Sequence, residues 1–145
     1  MWLAEGVAAG IIAGVFMVVV SEIGYRLGVF KSSLIIIDGS FAIRRPKMGD
    51  NQTSVYVFGT FVHFVTSAVF GLVYSLFPRF IKFDAREIYA LAPYVFFLWV
   101  AMLFVALPIA GQGILGSKSG RFAWLEQLVI HSVFGVGFWW ALGVV

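Results

Sequence analysis

Polar residues in this chain gather into short stretches, and long apolar runs lie between them. Four runs carry no charge at their centres: Gly6–Tyr25, Val55–Phe77, Tyr89–Leu107 and Trp124–Val145. Each is close to the roughly 20 helical residues that cross a bilayer core. In lipid, backbone groups must be satisfied within the segment, so runs of this length are predicted as helices. Barrel strands would be about half as long and would alternate in polarity. The connections differ in kind. The first, from Arg26 to Ser54, is long. The second, "PRFIKFDARE", is short, and the third, "PIAGQGILGSKSGRF", is rich in glycine.

The first connection holds "SSLIIIDGSFAIRRPK". Two short β-rich runs flank Asp38 and Gly39, and Asp-Gly between such runs predicts a β-hairpin. The isoleucine run is too apolar to lie free in water. It is expected to rest on the membrane surface, on the bundle or on another subunit, because a lone hairpin is marginal in water. The predicted fold is therefore all-α: one transmembrane domain over residues 1–145, a four-helix bundle with a short hairpin in its long loop.

Composition agrees with a membrane setting. Hydrophobic residues make up 61% and charged residues 12% of the 145 positions, and mean hydropathy is +0.99. A soluble domain of this size has too little interior for that much apolar surface. With no cysteine, disulfides, zinc–thiolate sites and iron–sulfur ligands are excluded. The net charge of +3 sits at span ends. It reads as membrane topology, not as the basic stripe of a nucleic-acid surface. The N-terminus lacks a basic n-region and an A-x-A-like cleavage site, so the first span is expected to be a retained helix.

Arg26, Lys31, Arg44, Arg45, Lys47, Lys118 and Arg121 fall in or beside loops one and three, against Arg79, Lys82 and Arg86 in loop two. Basic loops stay cytoplasmic. Loops one and three are thus expected inside and both termini outside. Trp2, Tyr74, Tyr89, Trp139 and Trp140 would mark one interface, and Tyr25, Tyr56 and Trp124 the other.

The first span carries Gly6, Gly10 and Gly14 at four-residue steps, with Ala9 and Ala13 alongside. Such a stripe lets a second backbone approach closely, either within this bundle or on a partner protein. "SAVFGLVY" at 67–74 matches "HSVFGVGF" at 131–138, which is compatible with two repeated helical hairpins. The glycine stripe, "LPIAGQGILG" before the last span and His131-x-x-x-Gly135 within it resemble a group of uncharacterised four-helix prokaryotic membrane proteins. The resemblance covers much of the chain. It implies the four-helix fold in a prokaryotic inner membrane and brings no functional residue with it. The second span departs from the pattern, because His63 has Ser67 four residues on and reaches glycine only at Gly71.

Two nucleotide-like motifs are rejected. "GQGILG" fits G-x-G-x-x-G but follows a membrane span, not a strand. "GQGILGSKS" places Ser117 between Gly116 and Lys118, which breaks the Gly-Lys pair of a phosphate loop. A flexible reversal is expected there, with Pro108 ending the third helix. No catalytic set is evident. All seven carboxylates fall in loops or at span ends, and Glu22 should pair with Arg26 one turn on. Proton-coupled carriers usually hold an ionisable group inside the membrane, so the sequence argues against a transporter or channel.

The two histidines are the candidate site. His63 and His131 lie at similar depth in helices that would run in the same direction, each among small residues. Three uses compete. Each ring can be a polar pin bonded to Thr60, Thr66, Ser67, Gln127 or a carbonyl. Both can ligate one haem b, since histidine commonly binds haem iron. Another metal, quinone or pigment is the third use. The expected function is a small non-catalytic accessory subunit of a larger membrane complex of respiratory or oxidoreductive type. A bis-histidine haem b electron relay is the alternative, and a small transporter or channel ranks behind it. The expected partners are the lipid bilayer and other membrane subunits, with no nucleic acid and no soluble substrate.

Overall fold

A computed structural model describes residues 3–43, 52–81 and 83–145. Among these residues the regular structure is entirely helical. The helices are α1 (Leu3–Arg26), α2 (Leu34–Ile43), α3 (Gln52–Phe80), α4 (Ile88–Ala101), α5 (Leu107–Ile109) and α6 (Ala123–Ala141). A π-helical turn, Met102–Ala106, joins α4 to α5, and a 3₁₀ turn, Ile114–Gly116, precedes α6.

Three segments are long and apolar enough to cross a membrane: Leu3–Arg26, Thr53–Phe80 and Ile88–Ile109. Three of the four expected spans thus meet this description. The last helix has 19 residues, but Glu126, Gln127, His131, Ser132 and three tryptophans dilute its apolarity. It buries Ile130, Phe134 and Phe138 against the other helices instead.

The packing puts small side chains inside and large ones outside. On α1, Gly6, Ala9, Gly10, Ala13 and Gly14 are buried, whereas Ile11, Val15, Phe16, Val19 and Ile23 are exposed. The glycine stripe lies against α3, which runs antiparallel to it. A Cβ at Gly10 would strike Ser67 O, and one at Gly71 would strike Gly6 O. Backbone approach this close is the usual reason for small residues at helix interfaces in lipid. The other flank of α1 packs on α6, where Gly137 meets Ala13 and Phe16. In turn α6 packs on α4, with Gly135 against Val95. Around the bundle the order is α3, α1, α6, α4, so α3 and α6 are not side-by-side neighbours.

The predicted β-hairpin is not formed. Asp38 and Gly39 lie inside α2, which carries Leu34, Ile35, Ile36 and Ile37 into the interior at 8% exposure or less. The second strand of that hairpin would have run on to Arg44, Arg45 and Lys47, which lie outside the described residues, as do Trp2 and Lys82. Tertiary contact overrides local β preference here. Gly39 lets α2 touch the backbone of α3 at Val55, and Gly59 leaves room for the Ile35 carbonyl, which a Cβ there would strike. The start of α2 is fixed by Ser21, whose Oγ accepts the Leu34 N–H at 2.8 Å.

Pro108 accounts for the π-helical turn. It has no N–H, and its ring would collide with the carbonyl of residue 104 in a regular helix. The turn before it widens, and Leu107 N–H reaches back five residues to Met102 O. The glycine-rich connection that follows is held by Gln112, whose Oε1 accepts from Ser119 at 2.6 Å.

Candidate functional site

A half-open cavity of about 210 Å³ lies between α3 and the α4–π-turn segment. Met17 of α1, Leu34, Asp38 and Phe41 of α2, and His131 and Phe134 of α6 complete its lining. The gap follows from the packing order, because α3 rests on α1 and α2 whereas α4 rests on α6. Beyond the cavity the two helices are drawn together. Tyr94 donates to Phe70 O at 2.7 Å, and the Tyr74, Phe77 and Tyr94 rings cluster there.

Both histidines reach this cavity, though their helices are not neighbours. His63 is 3% exposed and bonded at both nitrogens. Nε2 lies 3.1 Å from Gly14 O, and Nδ1 lies 2.9 Å from Asp38 Oδ2. A backbone carbonyl only accepts, so Nε2 must donate. A neutral ring then presents a bare lone pair at Nδ1, which would face the carboxylate lone pairs. The 2.9 Å contact therefore requires one further proton between Asp38 and His63. It sits either on Nδ1, giving an ion pair, or on the carboxyl, giving a neutral one. Burial pushes the Asp38 carboxyl above its ordinary value, and the hydrogen bond and charge of His63 oppose this less strongly. Either arrangement is neutral overall, which lowers the cost of burying it.

The sequence reading missed this partner. It placed Asp38 in a loop, so no acid could stand beside a histidine. A lone Asp in an otherwise apolar "LIIIDG" run is the signal that was available, because buried carboxylates need partners. The threonines weighed as histidine partners bond elsewhere: Thr60 to Tyr56 O, and Thr66 to Val62 O and His63 O.

His131 is 5% exposed, and its Nδ1 lies 2.8 Å from the Gln127 carbonyl one turn back. It also faces a separate groove on the α4–α6 side, beside Val95, Trp99 and Gly135. Haem ligation by His63 would have to break its contact with Asp38 or with Gly14. The cavity is also smaller than the roughly 300–1,000 Å³ of most small-molecule sites. Among the described residues no group of three or more His, Asp or Glu side chains could hold a metal ion.

Buried polar side chains continue from this pair along the α1–α3 seam. On one side stand Ser21 and Ser33, with Ser33 donating to Glu22 at 2.9 Å. Glu22 also pairs with Arg26 at 2.9 Å, as the sequence predicts. On the other side are Ser67 and Ser75, which pack against Gly14 and Gly6. Gly39, Gly6, Gly10 and Gly14 thus serve close contacts between helices.

The class this fold and site define is an all-helical protein with three helices long and apolar enough to span a membrane and an acid–histidine pair in its interior. Compared with protein-family models, curated proteins and solved structures, the chain has no match.

Proposed function

We propose that this chain is a small proton-translocating membrane protein whose working site is the Asp38–His63 pair. The observation that carries the reading is the 2.9 Å contact that can exist only with a shared proton. Ionisable groups inside a membrane are costly and mark proton or substrate pathways. His63 is sealed, but the Asp38 side chain is 16% exposed and lines the half-open cavity. The Asp38 carboxyl is thus the member of the pair that borders open space. The seam of Glu22, Ser33, Ser21, Ser67 and Ser75 supplies polar groups toward both ends of α1 and α3.

The accessory-subunit expectation drew on the lack of catalytic groups and on a glycine stripe and an apolar hairpin run that could dock a partner. The stripe packs on α3, and the hairpin run is the buried helix α2. The orientation that fits the Lys and Arg counts puts loops one and three in the cytoplasm, with Glu22 on the cytoplasmic side of the site.

The test uses liposomes loaded with a pH-sensitive dye and given an external pH step. Wild-type protein should speed relaxation of the internal pH. Asp38→Asn should return the rate to that of empty liposomes, because an amide can donate to His63 Nδ1 but holds no exchangeable acid proton. A wild-type rate equal to that of empty liposomes would sink the proposal.

A further inference from the structure

The cavity holds a second polar atom that the Asp38–His63 pair does not use. Because Gln127 O accepts from His131 Nδ1, the neutral ring carries its proton there and leaves a lone pair on Nε2. The ring is buried and borders both this cavity and the α4–α6 groove beside Trp99. It therefore offers a hydrogen-bond acceptor in an almost wholly apolar chamber. Phe41, Phe70, Phe134 and Met102 wall that chamber, and rings and thioethers favour flat aromatic guests. One wall is the π-helical turn, a feature that recurs at functional sites. The part-exposed Val62 and Thr66 and the exposed Val105 stand at its mouth, on the flank where α3 and α4 are not packed together.

We infer that the cavity binds a neutral, lipid-soluble phenol, which enters sideways between α3 and α4 and donates its O–H to His131 Nε2. This rests on the proton-handling reading of the same site and names its substrate class. A volume of about 210 Å³ suits a body of one or two rings, not a long-chain lipid. The phenol is a weak acid, so the molecule received at His131 is one whose proton the neighbouring Asp38–His63 pair could exchange.

The test compares 1-naphthol with 1-methoxynaphthalene, which has a similar ring body and no O–H, using the full chain in lipid nanodiscs. After correction for partition into empty nanodiscs, the naphthol should bind about tenfold more tightly, the effect of one hydrogen bond. His131→Leu should abolish that preference, and His131→Gln, which keeps an acceptor, should retain part of it. Equal binding of the two probes, or a preference that survives His131→Leu, overturns the inference. If His131→Leu does not fold, ¹⁵N-histidine NMR of the wild type decides. Naphthol should shift a non-protonated imidazole nitrogen that the ether leaves in place, and no shift overturns the inference. Asp38-dependent proton flux without a naphthol preference removes this inference and leaves the proposed function standing. A naphthol preference without such flux supports the site and removes the flux reading.

Discussion

Asp38 and His63 stand 25 positions apart and meet at 2.9 Å, across the contact between a short buried helix and a long apolar one. His63 has no choice of proton donor at Nε2, because Gly14 offers only a carbonyl. One further proton is thereby committed to the contact between Nδ1 and Asp38, and the pair stays neutral as a unit.

The losses from removing the two members of this pair should not add. Asp38→Ala leaves His63 Nδ1 without its partner, and His63→Ala strands a buried carboxyl. Each is expected to destabilise by about 3 kcal/mol, within the range for broken buried pairs. The double variant should lose less than the sum of the two. Asp38→Asn should stay within about 1 kcal/mol of wild type, because its amide N–H can replace the shared proton. Thermal melts of the four variants in one detergent give the comparison, and additive losses would contradict the shared-proton account.

Gly10 tests the α1–α3 seam. Gly10→Ala drives a methyl into Ser67 O and the Gly71 backbone. Overpacking of this kind should cost about 1–3 kcal/mol. Gly120→Ala meets only the flexible Lys31 side chain at 3.4 Å and should change little. Equal melting temperatures for the two variants would argue against close approach of these helices.

Tyr94 ties α4 to α3 at one end of the cavity through its bond to Phe70 O. Tyr94→Phe keeps the ring and removes the bond, at a cost of about 0.6–1.5 kcal/mol. Spin labels on the exposed faces of α3 and α4 should then report a broader distance distribution. An unchanged distribution would show that ring packing alone holds this end.

Glu22 holds the entry to α2 by accepting from Ser33 and pairing with Arg26. Glu22→Ala should raise amide hydrogen exchange in the segment before Leu34 and at the first turn of α2. Exchange confined to the α1 terminus would mean that Ser21 suffices to seat the helix.

Much of the fold is legible from one dimension. Long apolar runs dictate helices because lipid offers the backbone no partner, and α1, α3 and the Ile88–Ile109 segment follow those runs closely. The run Trp124–Val145 forms a helix over Ala123–Ala141, but Glu126, Gln127 and His131 lower its hydropathy, so it does not stand with the three segments apolar enough to cross a membrane. The turn at Asp38-Gly39 was misjudged for a hidden reason. Local preference favoured strands, and the gain from burying four apolar residues among the other helices lay outside any local window.

The candidate site divides in the same way. Sequence alone determined that the two histidines would lie inside apolar helices, since that depends only on the runs around them. Tertiary structure decided what they touch. His63 meets Asp38 because Gly39 and Gly59 let two backbones come close enough for a short carboxylate to reach the ring. His131 shares their cavity because α1 separates α3 from α6 while α4 leans away. Those outcomes depend on close packing between segments distant in sequence, which no pattern along the chain encodes.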